Sequence, residues 1–180
     1  MGEIMIVSVE LVKKFDYRDI FEFEAENKDF FESVLPLRNE GYYKFDSFVT
    51  IMDQLMTEQE EGQFYMYLIR DSNNTVVGRI NLQIKEEKGI RKAELGYRVG
   101  KAFQGNGYAS KAVKLIIDEA FTHLSVVEIY AGTAKDNVGS RKVLERNGFV
   151  LVGEEKDVLL VNGTLVDGVM YSRLIDTSQN

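Results

Sequence analysis

The residues best placed to do chemistry form the run Gln104-Gly105-Asn106-Gly107-Tyr108-Ala109, which joins a stretch of strand character to one of helical character. Glycines at such a junction let the backbone turn so that several N–H groups converge on one point. The helix beginning beyond them adds its positive dipole end. Lys111 and Lys114 follow within about two turns, and the segment from Arg98 to Lys114 carries Arg98, Lys101, Lys111 and Lys114 with no acidic residue. Together these features read as a cradle for a pyrophosphate, whereas a Gly-x-Gly alone would equally serve a tight turn at positive φ. A P-loop is excluded, because its glycine is followed by Lys-Ser/Thr and Gly107 is followed by Tyr108-Ala109. A dinucleotide-binding fold comes nearer, with Ser110 in place of the third glycine and Glu128 lying 21 residues beyond Gly107. Against it, Glu128 opens its strand instead of ending it, and three sheet-forming segments precede the loop.

The composition narrows the chemistry further. With no Cys and a single His, the chain has no thiolate nucleophile, no cysteine–zinc site, no iron–sulfur cluster and no multi-histidine metal motif. No metal is expected. The 180 residues are 44% hydrophobic, ample for one core, and a single domain over 1–180 is the expectation. No apolar stretch approaches the ~20 residues of a membrane span, and Met1-Gly2-Glu3 lacks the basic-then-apolar order of a signal peptide. These features point to a cytoplasmic protein with no membrane partner. Its formal charge of −7 is uneven: residues 1–62 hold 6 basic and 15 acidic side chains, a balance of −9, and the remainder holds 16 and 14, a balance of +2. An acidic first third repels nucleic acid and attracts cations, or simply keeps the surface solvated.

The elements that must position these residues follow from periodicity. Ile6 to Lys13 is β-branched and partly alternating, a first strand. Asp16 to Leu35 reads as one helix ended by Pro36, the only proline, and Asp46 to Glu58 as a second with Asp46 as N-cap. Phe64 to Arg70, the turn Asp71-Ser72-Asn73-Asn74 and Thr75 to Ile84 form a hairpin, and Ala93 to Val99 adds a third antiparallel strand. Ala109 to Leu124 carries the apolar stripe of an amphipathic helix, after which Val126 to Ala131 is a short strand parallel to the one before the helix. A short helix from Ser140 to Arg146 ends at Asn147-Gly148-Phe149, and Val150 to Leu174 is a hairpin turning at Asn162-Gly163.

Two motifs in this order resemble the GNAT superfamily of N-acetyltransferases. Ala93-Glu94-Leu95-Gly96-Tyr97-Arg98-Val99 followed by Gln104 to Ala109 resembles the family's strand, phosphate loop and helix. Asp136-Asn137-x-x-Ser140-x-x-Val143-Leu144-x-x-x-Gly148-Phe149 resembles its second cofactor element, and the Asn-x-x-Ser pattern with the acidic two-helix opening is most similar to the Rim-type ribosomal-protein N-terminal alanine and serine acetyltransferases. The resemblance implies an α/β acyl-CoA N-acyltransferase fold: a mixed, mostly antiparallel sheet of about seven strands with helices on both faces. It implies acetyl-CoA as co-substrate, held by Gln104, Gly105, Asn106, Gly107, Tyr108 and Ala109 at the pyrophosphate, by Tyr97, Arg98 and Val99 along the pantetheine arm, and by Asn137 from the other side. The Val99 N–H is expected to face the oxyanion.

Strand alternation sets Glu94, Gly96 and Arg98 on one face and Leu95, Tyr97 and Val99 on the other. The resemblance makes Glu94 the general base; pairing with a neighbouring Lys or Arg is the alternative. No Tyr occurs between Ala131 and Met170 to act as acid, a departure from the commonest pattern, and the Rim-type branch points to Ser140 instead. Ser140 also suits a close approach beside Gly139, and Asn137 a helix N-cap. His123, at a helix end, reads as structural. The acceptor expected from the resemblance is a protein or peptide N-terminal amine, with a small-molecule amine or a non-catalytic acyl-CoA sensor as alternatives. The acidic first third favours the N-terminus of a basic protein, and the resemblance also allows a homodimer.

Overall fold

The computed structural model describes residues 5–176. Seven strands form one sheet in the order β1 (Ser8–Leu11), β2 (Phe64–Arg70), β3 (Val76–Glu87), β4 (Ile90–Val99), β5 (Val126–Ala134), β7 (Thr164–Leu174), β6 (Val150–Val161). Every neighbouring pair is antiparallel except β4 and β5. That pair is parallel because α4 (Tyr108–Thr122) carries the chain back along the sheet between them. The expected mixed sheet is the observed one.

Alternation along the strands divides the molecule into two cores. Tyr67 and Ile69 of β2, Ile80 and Leu82 of β3 and Leu95 and Val99 of β4 pack under α4 through Ala112, Val113, Ile116 and Ala120. Phe64, Met66 and Leu68, the intervening positions of β2, pack against α1 (Tyr17–Glu26) and α3 (Phe45–Glu60) through Tyr17, Ile20, Phe48 and Met52. Helices therefore cover both faces.

Two expectations are corrected. The helix read over Asp16 to Leu35 is two, α1 and α2 (Lys28–Val34), separated at Asn27. The Asn27 amide donates to the Phe23 carbonyl, and its Oδ1 accepts from the Lys101 N–H at 2.9 Å, so the side chain ends α1 while fastening it to the turn after β4. Asp46 is not the cap of α3: that helix starts at Phe45, and Asp46 lies in its first turn, where its charge suits the helix dipole. Pro36 acts as expected, with Leu35 extended at φ −130° and ψ 159°. At the end of α5 (Val138–Arg146), Gly148 is left-handed at φ 78°, Phe149 N–H bonds Leu144 O, and Gly148 N–H bonds Glu145 O. That is the Schellman pairing of a helix end.

Candidate active site

The decisive local feature is a partial pairing. β4 and β5 are matched at Arg91, Lys92, Ala93 and Glu94, opposite Val126, Glu128, Ile129 and Tyr130, and no further. Past Glu94 and Tyr130 the strands part. Gly100 N–H donates to Val77 O of β3, so the alternate residues Val99 and Tyr97 turn their N–H groups the other way, into the gap. A cleft of about 1390 Å³ occupies it, lined from β4 by Leu95 to Val99 and from β5 by Ala131 to Ala134.

The glycine loop lies at the mouth of this cleft. Gly105 and Gly107 are left-handed, at φ 75° and 82°, and Gly107 is the N-cap of α4 with no side chain capping the helix. A Cβ on Gly105 would meet nothing within 4 Å, so it is the backbone conformation and not crowding that calls for glycine there. The uncapped first turn of α4 presents N–H groups from Tyr108, Ala109 and Ser110, and all three residues line the cleft. Asn147, buried at the end of α5, donates to both the carbonyl and the hydroxyl of Ser110, fixing α5 against that turn. Gln104 turns back, its amide donating to Val99 O at 2.6 Å, and the Asn106 amide donates to Gln104 O. Lys111 binds the Met5 carbonyl at 2.6 Å.

Asn137 is the N-cap of α5: its Oδ1 accepts from Ser140 N–H at 3.0 Å. The cap presents Ser140 to β4 across the gap, where its hydroxyl lies 2.9 Å from the Tyr97 phenol. Burial pushes the Tyr97 hydroxyl up to about 12, with the Ser140 contact opposing the shift, so the phenol is neutral across the physiological range. Glu94, half-exposed on the opposite face of β4, lines the same cleft and pairs with Lys85 at 3.2 Å. His123 is exposed at the end of α4 and bonds Glu119 at 2.9 Å, a structural role.

Arg98 does not join the basic segment's field around the loop. Its side chain leaves β4 on the Glu94 face and pairs at 3.2 Å with Glu24, a fully buried carboxylate on α1. Glu24 also holds Arg79 of β3 at 2.7 Å and Arg38 at 3.4 Å. Arg79 and Arg98 are direct cross-strand neighbours, a like-charge placement that costs stability unless an anion lies between them. Glu24 supplies it. Burial raises the Glu24 carboxyl, but Arg79, Arg38 and Arg98 more than reverse this and hold it below the usual range. Periodicity gave no sign of this network: Glu24 sits in a run of alternating acids, and its partners are 14, 55 and 74 residues away.

The first third does wall the cleft, as expected, but not with its acids. Among the described residues, 5–62 give the cleft lining one charged side chain, Arg38, beside apolar groups such as Phe30, Phe31, Ile51 and Leu55. Several of its acids are engaged elsewhere, Glu10, Asp16 and Asp19 with Arg70, and Asp53 with Lys14.

Residues 10–150 match the model of the acetyltransferase (GNAT) domain. The chain belongs to this family. It is 31% identical over 147 residues to a probable N-acetyltransferase of Bacillus subtilis, YjcK, covering 80% of each chain. It is 26% identical over 163 residues to the [ribosomal protein uS5]-alanine N-acetyltransferase of Escherichia coli, covering 90% of this chain and 84% of the other. In shape it matches the ribosomal-protein-S5-alanine acetyltransferase of Vibrio fischeri at a TM-score of 0.89 and 23% identity, over 99% of this chain and 100% of that one. The likeness to the Rim-type branch thus extends over the whole fold, and the chain is an acetyl-CoA-dependent acetyltransferase. An open strand edge of this kind can pair a peptide-like arm, and a bare helix start suits a pyrophosphate.

Proposed function

We propose that this GNAT enzyme acetylates the N-terminal amine of a protein or peptide by direct transfer, with cofactor and acceptor bound together. The observation that carries this reading is the gap between β4 and β5, which joins the glycine loop, Ser140 and Glu94 in one cleft. Backbone N–H groups of Tyr97 and Val99 and the start of α4 hold the cofactor, and Asn137 lines its far side. When bound, acetyl-CoA supplies an activated acyl thioester. The Glu94 carboxylate takes a proton from the acceptor ammonium, directly or through water, so that the free amine attacks the thioester carbonyl. As the C–S bond breaks, the Ser140 hydroxyl gives its proton to the departing sulfur and regains one from the proton that the intermediate's nitrogen sheds. The Tyr97 phenol positions that hydroxyl at 2.9 Å. Holding the two reactants in line supplies much of the acceleration.

The reading favours a peptide over a compact amine because the lining of the cleft extends beyond the gap to the segment from Phe30 to Tyr42 and to Val158, Leu159 and Val161 of β6. The test is intact-mass analysis of short peptides and of polyamines incubated with enzyme and acetyl-CoA, with fragmentation to place the acetyl group. Acetyl on the peptide α-amine is expected. Acetylation of polyamines alone would replace this acceptor class, and acetyl-CoA binding with no thiol release in the presence of any amine would indicate a non-catalytic acyl-CoA sensor.

A further inference from the structure

One stretch of the acceptor side of the cleft holds more positive than negative charge, the acids of the lining, Glu94, Glu154 and Glu155, lying elsewhere on β4 and on β6. Arg38, Arg79 and Arg98 all line it, and the single carboxylate among them is Glu24. Three guanidinium groups thus meet one acid in a buried setting, an imbalance that interiors avoid unless something else completes it. Four buried polar atoms in the same place have no hydrogen-bond partner among the described residues: Arg38 Nε, Arg79 Nε, which meets Glu24 as an ion pair, and the hydroxyls of Tyr43 and Tyr42. Tyr42, only 5% exposed, lines the cleft beneath the Arg38 guanidinium, whose carbon is 4.2 Å from its ring centroid. Arg38 belongs to the segment after Pro36, so the cluster is assembled from the helical wall, β3 and β4 together. Burial and the neighbouring guanidiniums lower Arg98 to about 10, where it still holds its charge at neutral pH.

We infer that Arg38, Arg98 and the Tyr42 hydroxyl form a carboxylate-binding subsite, and that the preferred acceptor carries an acidic group close to its reactive amine. This rests on the N-terminal acetylation reading and narrows its substrate class. Planar guanidiniums pair carboxylates through two parallel N–H donors, and the phenol donates a third. Arg98 lies two positions along β4 from Gly96 and four from Glu94, about 7–13 Å of strand. An extended peptide covers that span in two to four residues, which puts the acid within the first four positions of the acceptor. The basic N-terminus expected from bulk charge is therefore replaced by an acidic one, because the charge that lines the cleft differs in sign from the charge of the segment that supplies its wall.

The experiment compares kcat/KM for hexapeptides with Asp or Glu at positions two to four, their Asn or Gln isosteres, their Lys counterparts, and free aspartate as a carboxylate not carried on a peptide. At least a tenfold preference for the acidic peptides over their isosteres is expected, weakening as salt rises. In Arg38→Gln that ratio should collapse towards one, and Tyr42→Phe, which removes only the hydroxyl, should reduce it by about threefold. Equal rates for acidic and isosteric peptides in the wild-type enzyme would overturn the subsite while leaving peptide acetylation standing. So would a ratio that both variants leave intact. Acetylation of free aspartate but no peptide would keep the carboxylate site and overturn the peptide reading. Should Arg38→Gln fail to fold, Tyr42→Phe decides.

Discussion

The two faces of β4 build the two halves of the cleft in different materials. On the Tyr97 and Val99 side the parts are mostly backbone: strand N–H groups left without a partner strand, left-handed glycines, an uncapped helix start and a capping Asn that presents Ser140. On the Glu94 and Arg98 side they are charged side chains drawn from α1, the segment after Pro36, β3 and β4, and held by one buried acid. The comparison teaches that a binding surface common to a family can be encoded locally, because backbone geometry depends on a few adjacent residues. A surface that selects the acceptor depends on long-range packing, and here it is also where stability and recognition share the same residues.

The largest effect should come from breaking the side-chain half. Glu24→Gln leaves three guanidiniums without their carboxylate, and loss of one partner of a buried pair costs about 3–5 kcal/mol. Urea denaturation should show a loss of that order, with part regained when Arg98→Met is added. The pH dependence has a definite sign. Because the folded-state carboxyl sits below its unfolded value of ~4.3, its contribution is complete above about pH 5 and disappears as pH falls through the lower, folded value. Glu24→Gln should therefore flatten the acid limb of the stability curve. An unchanged limb would mean that the network contributes nothing net and that the two halves are less different than their geometry implies.

The same contrast explains what the sequence revealed. All seven strands, the parallel β4–β5 pair, the hairpin turn at Asn162 and Gly163 and the Gly148 helix end were legible, because each depends on local alternation or on a residue tolerant of positive φ. The loop from Gln104 to Ala109 belongs to that class, whereas the contact of Ser140 with Tyr97, 43 residues away, does not. Asn27 was not legible, since its role is to bond the N–H of Lys101, 74 residues away. Nor was the neutralisation of the acidic third, where net charge counted Glu24 and Asp16 as surface although both are buried against arginines. Composition sums charge without knowing which of it faces solvent.

Glu94 belongs to the side-chain face but is proposed as the base, so its variant tests whether that face does chemistry as well as recognition. Glu94→Gln is expected to lower kcat/KM about 10–100-fold below about pH 8 and to recover partly at higher pH, where the free amine is plentiful. A loss equal at every pH would assign Glu94 to positioning through its Lys85 pair instead of to proton transfer. On the backbone face, Gly107→Val introduces a β-branched residue at φ 82° at the start of α4. The acetyl-CoA dissociation constant should rise at least tenfold, about 1.4 kcal/mol, while the acidic-peptide preference persists. Unchanged affinity in a folded variant would show that the loop's glycines serve the turn alone.

The smallest effect is expected where the two faces meet. Tyr97 faces the cofactor side, and its phenol reaches Ser140 across the gap at 2.9 Å. Tyr97→Phe removes one buried hydrogen bond, worth about 1 kcal/mol, or roughly fivefold in kcat. Because the phenol is pushed up to about 12, it stays protonated throughout an ordinary assay, and the loss should be flat between pH 6 and 9. The informative quantity is the coupling with Ser140→Ala. If the phenol acts by orienting the Ser140 hydroxyl, the double variant should be no slower than Ser140→Ala alone, and acetyl-CoA affinity should hardly move in any of the three. Simple addition of the two losses would mean that Tyr97 acts independently of Ser140, as a packed ring or through its own backbone. The part of Ser140 in proton transfer would then rest on the loss in Ser140→Ala alone, with the Asn137 cap and not the phenol fixing its hydroxyl.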